Sequence, residues 1–281
     1  MRKLEQRIKN SVLEKGIIVQ KTAPRKDIEQ FFRRFREKYV SIELVRVGGE
    51  NDGGYLVPNN FKNVQYCFSP GVADTAEFES QLSEEFAIKS FLADASVNGL
   101  PIEDKNFKFL KKFIGSRTHG DFITLSDWVD HCIGKSSANS ILQMDIEGGE
   151  YDVLTFESAE MLSQFSTIII EFHGLKNMFE KNFLNMITAI FEKLYLNFSI
   201  CHVHPNNSSS IEAMGVLKVP KVIEVTFIRN DFIDEFLSDN KVSLPHYLDR
   251  KNLKELDDMV MPEIWWKKWS LYIFYNKDYS W

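Results

Sequence analysis

ILQMDIEGGEYDVL, residues 141–154, joins a short apolar run to a dense acidic turn. The run ends on Asp145, and Glu147, Gly148, Gly149 and Glu150 follow within five positions. Carboxylates beside a buried strand are costly unless they are paired, hydrogen-bonded or needed for chemistry. The residues alone leave three readings open: a metal site, a cofactor clasp, or the charged start of a helix. Glu150 suits the last, because a carboxylate in a first helical turn complements the helix dipole. Gly148 and Gly149 let the turn pass close to a ligand or a neighbouring strand.

Around this stretch, apolar runs alternate with helix-like segments. VQYCFS (64–69) precedes DTAEFESQLSEEF, and IKSFLAD (88–94) follows it. FKFLKKFIG (107–115) reads as another strand, LSDWVDHC as a short helix, and MFEKNFLNMITAIFEKLY as an amphipathic one. ILQMD and TIIIEFH (167–173) are uniformly apolar before their polar ends, as in parallel strands covered on both faces. FSICHVH (198–204) and KVIEVTFIR (221–229) alternate more and suit an antiparallel edge pair. The pattern predicts an α/β fold with a doubly wound sheet over residues 42–235.

Residues 1–41 read as a helical extension. Leu4, Ile8 and Val12 mark a first helix, and Ile28, Phe31, Phe32, Phe35 and Tyr39 mark one face of a second beginning near Pro24. Residues 236–281 form an aromatic-rich segment ending EIWWKKWSLYIFYNKDYSW, expected to pack on the domain.

The 281 residues suit one large domain with terminal additions, and 44% hydrophobic with 26% charged content is ordinary for a globular chain. A net charge of −6 argues against a nucleic-acid partner. No apolar run is long enough to span a bilayer, and MRKLEQRIKN lacks a signal-peptide core. Cys67, Cys132 and Cys201 are widely spaced and suit reduced thiols, so the expected location is cytoplasmic.

In doubly wound sheets ligands bind at the carboxyl ends of the strands. Those ends here carry Ser69-Pro70-Gly71, Asp94, Asp145, and Glu171 with His173. Gly71 is placed to let a ligand near the backbone, and Asp74 to cap the following helix. A single glycine makes a poor pyrophosphate cradle, which argues against a nucleotide-dependent oxidoreductase and leaves room for an adenosine ligand without phosphates. Asp94, at the end of the next strand, is placed to accept from ribose hydroxyls, a helix cap being the plainer alternative. Asp145 and Glu171 on adjacent strands would bring two carboxylates together, which demands a cation or a shared proton. His173 is a candidate general base or nitrogen ligand. His202 and His204 share one strand face, either as a second polar wall or facing water. RVGGENDGGYLVP (46–58) packs four glycines around Glu50, Asn51 and Asp52, as a tight hairpin or a lid would.

With these residues placed, the chain resembles the FkbM-type branch of S-adenosylmethionine-dependent methyltransferases. The resemblance runs through RVGGENDGGYLVP, FSPGVADTAEFE, FLADASVNG, ITLSDWV, LQMDIEGGEYDVL, IIIEFHGL, HVHPNN and VIEVTFIRND, roughly residues 45–231. It implies a mostly parallel, seven-stranded Rossmann-like class I sheet whose last strand is antiparallel. It further implies S-adenosylmethionine bound around Asp52, Tyr55, Ser69, Gly71, Asp74, Asp94, Ser96 and Asp145. His173, Asp145 and Glu147 become the expected catalytic residues. Asp145 and Glu171 become the expected ligands of Mg2+ or another divalent cation, because related sugar and macrolide O-methyltransferases hold one at these strand ends. His173 stands where those relatives tend to carry another acid. The implied reaction is O-methylation of a sugar or nucleotide-activated sugar in surface polysaccharide synthesis, by a chain able to form a homodimer. The opposing expectation is a catalytically silent module that binds a partner through its aromatic tail.

Overall fold

The computed structural model describes residues 12, 14–16, 21–134, 139–238 and 242–267. The helix expected from Leu4 and Ile8, and most of the aromatic tail, lie outside these residues. Helix α1 (Arg25–Glu37) follows Pro24, whose fixed φ suits a helix entry, and buries Ile28, Phe31, Phe32 and Phe35. Strands β1 (Leu44–Gly48) and β2 (Gly54–Pro58) form an antiparallel hairpin whose turn is the glycine-rich stretch. Next come β3 (Val64–Pro70), α2 (Glu77–Phe86), β4 (Lys89–Ala93) and β5 (Phe107–Leu110). FKFLKKFIG is two strands, not one: Lys111 and Lys112 separate β5 from β6 (Phe113–Gly115), which pairs with β7 (Phe122–Thr124) instead of joining the main sheet.

Helix α3 (Leu125–Ile133) is capped by the Thr124 hydroxyl, and β8 (Asn139–Met144) leads into α4 (Glu150–Phe156) and the single turn α5 (Ala159–Leu162). Then follow β9 (Phe165–Phe172), α6 (Lys181–Leu194), β10 (Phe198–Pro205), the small pair β11 (Ile211–Met214) and β12 (Leu217–Pro220), β13 (Ile223–Arg229) and the short α7 (Ile233–Phe236).

Seven strands form the main sheet in the order β10-β13-β9-β8-β3-β4-β5. The sheet is mixed: β13 runs antiparallel to both β9 and β10, and the other pairings are parallel. Strand order reverses between β3 and β8, both of which are central and covered on both faces. The expected edge pair does form, but β13 lies inside the sheet, and β10 is buried along its whole length and β13 along all but Arg229. Backbone bonds between Ile200 and residues Lys38 and Val40 cover the outer side of β10, so that edge is not left as a template for pairing.

Alternation along the strands divides the core in two. Phe68, Leu142, Met144, Ile168 and Ile170 face one layer with Trp128, Leu154, Phe191 and α1. Cys67, Ile141 and Ile169 face the other, under Val47, Tyr55, Val57, Phe78 and Leu82 from the hairpin and α2. Trp265 is fully buried and stands edge-on to Phe32 and Phe35, so the start of the C-terminal segment shares a core with α1. Among the described residues, no helix is long and apolar enough to cross a membrane.

Candidate active site

The alternation that buries Ile141 and Ile169 against the hairpin sends Gln143 and Asp145, then Glu171 and His173, towards the same side. Cross-strand register extends the row, with Glu171 opposite Glu224 and Glu224 opposite His204. A band of acidic side chains therefore lies beneath the β1–β2 turn, at the carboxyl ends of β8 and β9.

Asp145 and Glu171 are close enough for each carboxyl to affect the other's titration, and a buried pair of this kind favours one protonated carboxyl. Burial pushes Asp145 up to about 6. Burial, followed by the charges of Asp145 and Glu224, holds Glu171 well above the carboxylate range. Burial also pushes Glu224 up to about 7. Amide donors partly compensate: Asn206 Nδ2 donates to Glu171 at 2.9 Å, and Asn252 Nδ2 donates to Glu224 at 2.6 Å and to Asp52 at 3.2 Å. The buried Asp145 Oδ1 and Asn252 Oδ1 remain without a hydrogen-bond partner.

His173 sits among four carboxyl groups. Its Nε2 lies 3.4 Å from Glu147, 3.7 Å from Glu171 and 3.8 Å from Asp145, and its Nδ1 lies 3.5 Å from Glu150. Burial alone would lower its pKa, but Glu150, Asp145 and Glu147 outweigh burial and raise it. His173 therefore holds a proton more firmly than a free imidazole.

The acidic turn resolves residue by residue. Glu150 is fully buried and does more than complement a dipole: its carboxyl accepts from the backbone N–H of His173 at 2.6 Å and of Gly148 at 2.8 Å. Tyr151 Oη donates to the His173 carbonyl at 2.7 Å, so the first turn of α4 grips the His173 main chain on both sides. Glu147 is exposed, adopts φ 52°, and extends to His173. A non-glycine residue held in the left-handed region stores strain of order 1 kcal/mol, of the kind found at functional turns. Ala73, in the turn after β3, is the matching case at φ 42°.

Gly71 has φ 90°, and a Cβ there would overlap the carbonyl oxygen of Asp145. The expected close approach at Gly71 is thus made by the chain itself, where β3 and β8 diverge. Asp74 does not cap α2; its N-cap is Ala76, with no side-chain bond. Asp94 is buried and accepts from the Ala73 N–H at 3.2 Å, and from the Ser96 N–H and hydroxyl at 2.7 Å each. A carboxylate has about four acceptor positions. A ribose diol would therefore engage Asp94 by displacing the Ser96 hydroxyl.

Ser69, Gln143, Tyr55 and Glu79 form a buried relay. Burial raises the Glu79 pKa, which favours its neutral acid. Ser69 Oγ, whose single proton can serve either of two acceptors, faces Glu79 Oε1 and lies 2.5 Å from Gln143 Oε1, and Gln143 Nε2 donates to Tyr55 Oη at 2.9 Å. Asp52, Ser69, Gly71, Gln143, Asp145 and Glu147 line a cleft of about 120 Å³ under the hairpin turn. Ligand pockets usually measure ~300–1,000 Å³. A cleft of this volume has room for only part of a cofactor-sized molecule.

The β1–β2 turn is held from both sides. Arg46 donates to the carbonyls of Gly49 and Asn51, and a Cβ on Gly53 would press on Thr75 in the turn after β3. Arg250 pairs with Glu50 at 2.9 Å, and the Asp52 N–H donates to the Asn252 carbonyl. Sequence reasoning passed over Glu79, Gln143, Glu224, Asn206 and Asn252. Gln143 was detectable as the same-face neighbour of Asp145, and Glu224 as the polar interruption of an apolar strand.

The acidic, strand-end cleft lies at the switch point between β3 and β8, the place where open α/β sheets usually bind ligands. Residues 121–200 match the methyltransferase FkbM domain, a segment running from β7 through α6 into β10 and containing Asp145, Glu147, Glu171 and His173. That match, over a little more than a quarter of the chain, supports a methyltransferase. Comparison with curated proteins gave no match. Solved structures similar to the chain include a fibrillarin/Nop5p complex, with 10% identity and TM-score 0.37 over 68% of this chain and 98% of that one. Another is a 16S rRNA adenine methyltransferase from Catenulisporales acidiphilia, with 10% identity and TM-score 0.29 over 66% and 98%. A third is spermidine synthase from Thermotoga maritima, with 11% identity and TM-score 0.34 over 75% and 82%. Likenesses this distant add nothing to the functional reading.

Proposed function

We propose that the chain transfers the methyl group of S-adenosylmethionine to a hydroxyl of a sugar or nucleotide-activated sugar, in the synthesis of a surface polysaccharide. The observation that carries the reading is the buried Asp145–Glu171 pair beside His173, next to the strained Ala73 turn and Asp94. A cleft rich in uncompensated carboxyls favours a sulfonium cation over its neutral thioether product. S-adenosylmethionine, when bound, supplies an activated methyl group. Its methionine end would lie by Asp145, its adenosine by Gly71 and Ala73, and its ribose by Asp94. The sugar acceptor rests on the family resemblance alone.

The chain's own residues align the acceptor hydroxyl with the S–CH3 bond and take its proton. His173, gripped through its main chain by Glu150 and Tyr151, presents Nε2 to the cleft as the base. Because its pKa is raised, it is free to accept a proton only on the alkaline side of the usual imidazole range. Glu147, exposed and in reach of Nε2, is the natural outlet for that proton. Asp52, Glu171 and Glu224 offer an all-oxygen set that fits a hard divalent cation, and the unpartnered Asp145 Oδ1 stands beside Glu147 and His173 as a further ligand atom. Such an ion would replace the proton held by Asp145 or Glu171 and lower the acceptor hydroxyl's pKa.

A methyl-transfer screen against nucleotide-activated sugars, run with and without a chelator, tests the reading. Methylation of a sugar hydroxyl with a rate rising towards alkaline pH is expected. Turnover that survives chelation would remove the ion and leave His173 as the base. Transfer only to non-sugar acceptors would overturn the substrate assignment.

A further inference from the structure

A second cluster lies outside the cleft. His202 and His204 project from one face of β10, only 3% and 6% exposed, and do not face water. Asp249 reaches them from the segment after residue 242. Its Oδ1 stands 2.9 Å from His202 Nε2 and 3.7 Å from His204 Nδ1. The directions are wrong for hydrogen bonding: His202 Nε2, both nitrogens of His204 and Asp249 Oδ1 are all buried without a partner. Leaving such atoms unpaired costs ~1–3 kcal/mol each. One ligand atom from each residue falls within 4.8 Å of the others.

We propose that His202, His204 and Asp249 form a binding site for a borderline divalent transition-metal ion of the zinc class. Ligand atoms at ~2.0–2.1 Å from a tetrahedral ion lie about 3.3 Å apart, and the two measured separations bracket that value. Two imidazoles and one carboxylate select such an ion over magnesium or calcium. The carboxylate is already oriented, because Asp249 Oδ2 accepts from the His246 N–H at 2.7 Å and the Asp249 N–H donates back to the His246 carbonyl at 2.9 Å. A cavity of about 460 Å³ reaches His202 and His246 and leaves room for a fourth ligand.

The ion would fasten the C-terminal segment to β10. That segment carries Arg250 and Asn252, which hold Glu50, Asp52 and Glu224. Metal occupancy would thereby order the turn that closes the acidic cleft. The site is independent of what the cleft binds.

The test uses the whole chain, stripped with a chelator, desalted and titrated with Co2+ and then Zn2+. About one equivalent of Co2+ with the visible d–d absorption of a low-coordinate site is expected, displaced by Zn2+. Zn2+ should raise the melting temperature of the wild type. His204→Gln and Asp249→Asn should each lose the spectrum and bind Zn2+ at least roughly 100-fold more weakly, whereas His173→Gln should keep both. A wild-type chain with neither spectrum nor Zn2+-dependent melting shift overturns the site and leaves a histidine–aspartate ion pair. Binding lost in His173→Gln and retained in His204→Gln overturns it too. The wild-type spectrum decides the matter even where a variant does not fold.

Discussion

Replacing Asp145 by Asn is expected to lower methyl transfer by roughly 10²–10⁴-fold while making the folded chain more stable at pH 8. The two effects share one cause. Burial lifts the Asp145 pKa from 3.8 to about 6 in the folded state. The carboxyl's favourable contribution is thus fully present below pH 3.8 and is lost as pH rises through about 6. At pH 8 the buried charge costs on the order of 3 kcal/mol, and an amide of the same shape removes that cost. Thermal melts at pH 5 and pH 8 check this directly. The variant's advantage should be largest at pH 8 and shrink towards pH 5. Full activity in Asp145→Asn would take Asp145 out of the reaction centre.

Glu150→Ala should be the most damaging change at a residue outside the cleft. It leaves the N–H groups of His173 and Gly148 without their acceptor and opens a cavity in a fully buried position. A loss on the order of 3 kcal/mol is expected. Activity should fall as well, because the His173 main chain loses one of its two clamps. Glu150→Gln keeps one acceptor oxygen and should be intermediate in both denaturant midpoint and turnover. Equal stability of Glu150→Ala and wild type would mean that the α4 turn does not hold His173.

The central strands were legible because β8 and β9 are buried on both faces almost throughout, which leaves mostly apolar runs in the sequence. FKFLKKFIG misled because its flanking aromatics hide the Lys111-Lys112 break. Strand ends pointed to Asp145, Glu171 and His173, since polar residues there interrupt otherwise apolar runs. Periodicity could not show that Glu150 faces inwards, because its partners are the neighbouring turn and a residue 23 positions later. The histidines of β10 were visible as a same-face pair, whereas their burial depends on a segment more than 40 residues away that no local pattern announces. Asp249, Arg250 and Asn252 lie in irregular chain, where position is set by tertiary contact alone.

Isothermal titration of the purified chain with S-adenosylhomocysteine tests most directly whether the cleft under the β1–β2 turn is a methyl-donor site. Saturable one-to-one binding in the micromolar range is predicted, weakened strongly in Asp94→Ala. Absence of heat up to high micromolar ligand, or binding indifferent to Asp94→Ala, would contradict the placement of the cofactor over β3 and β4.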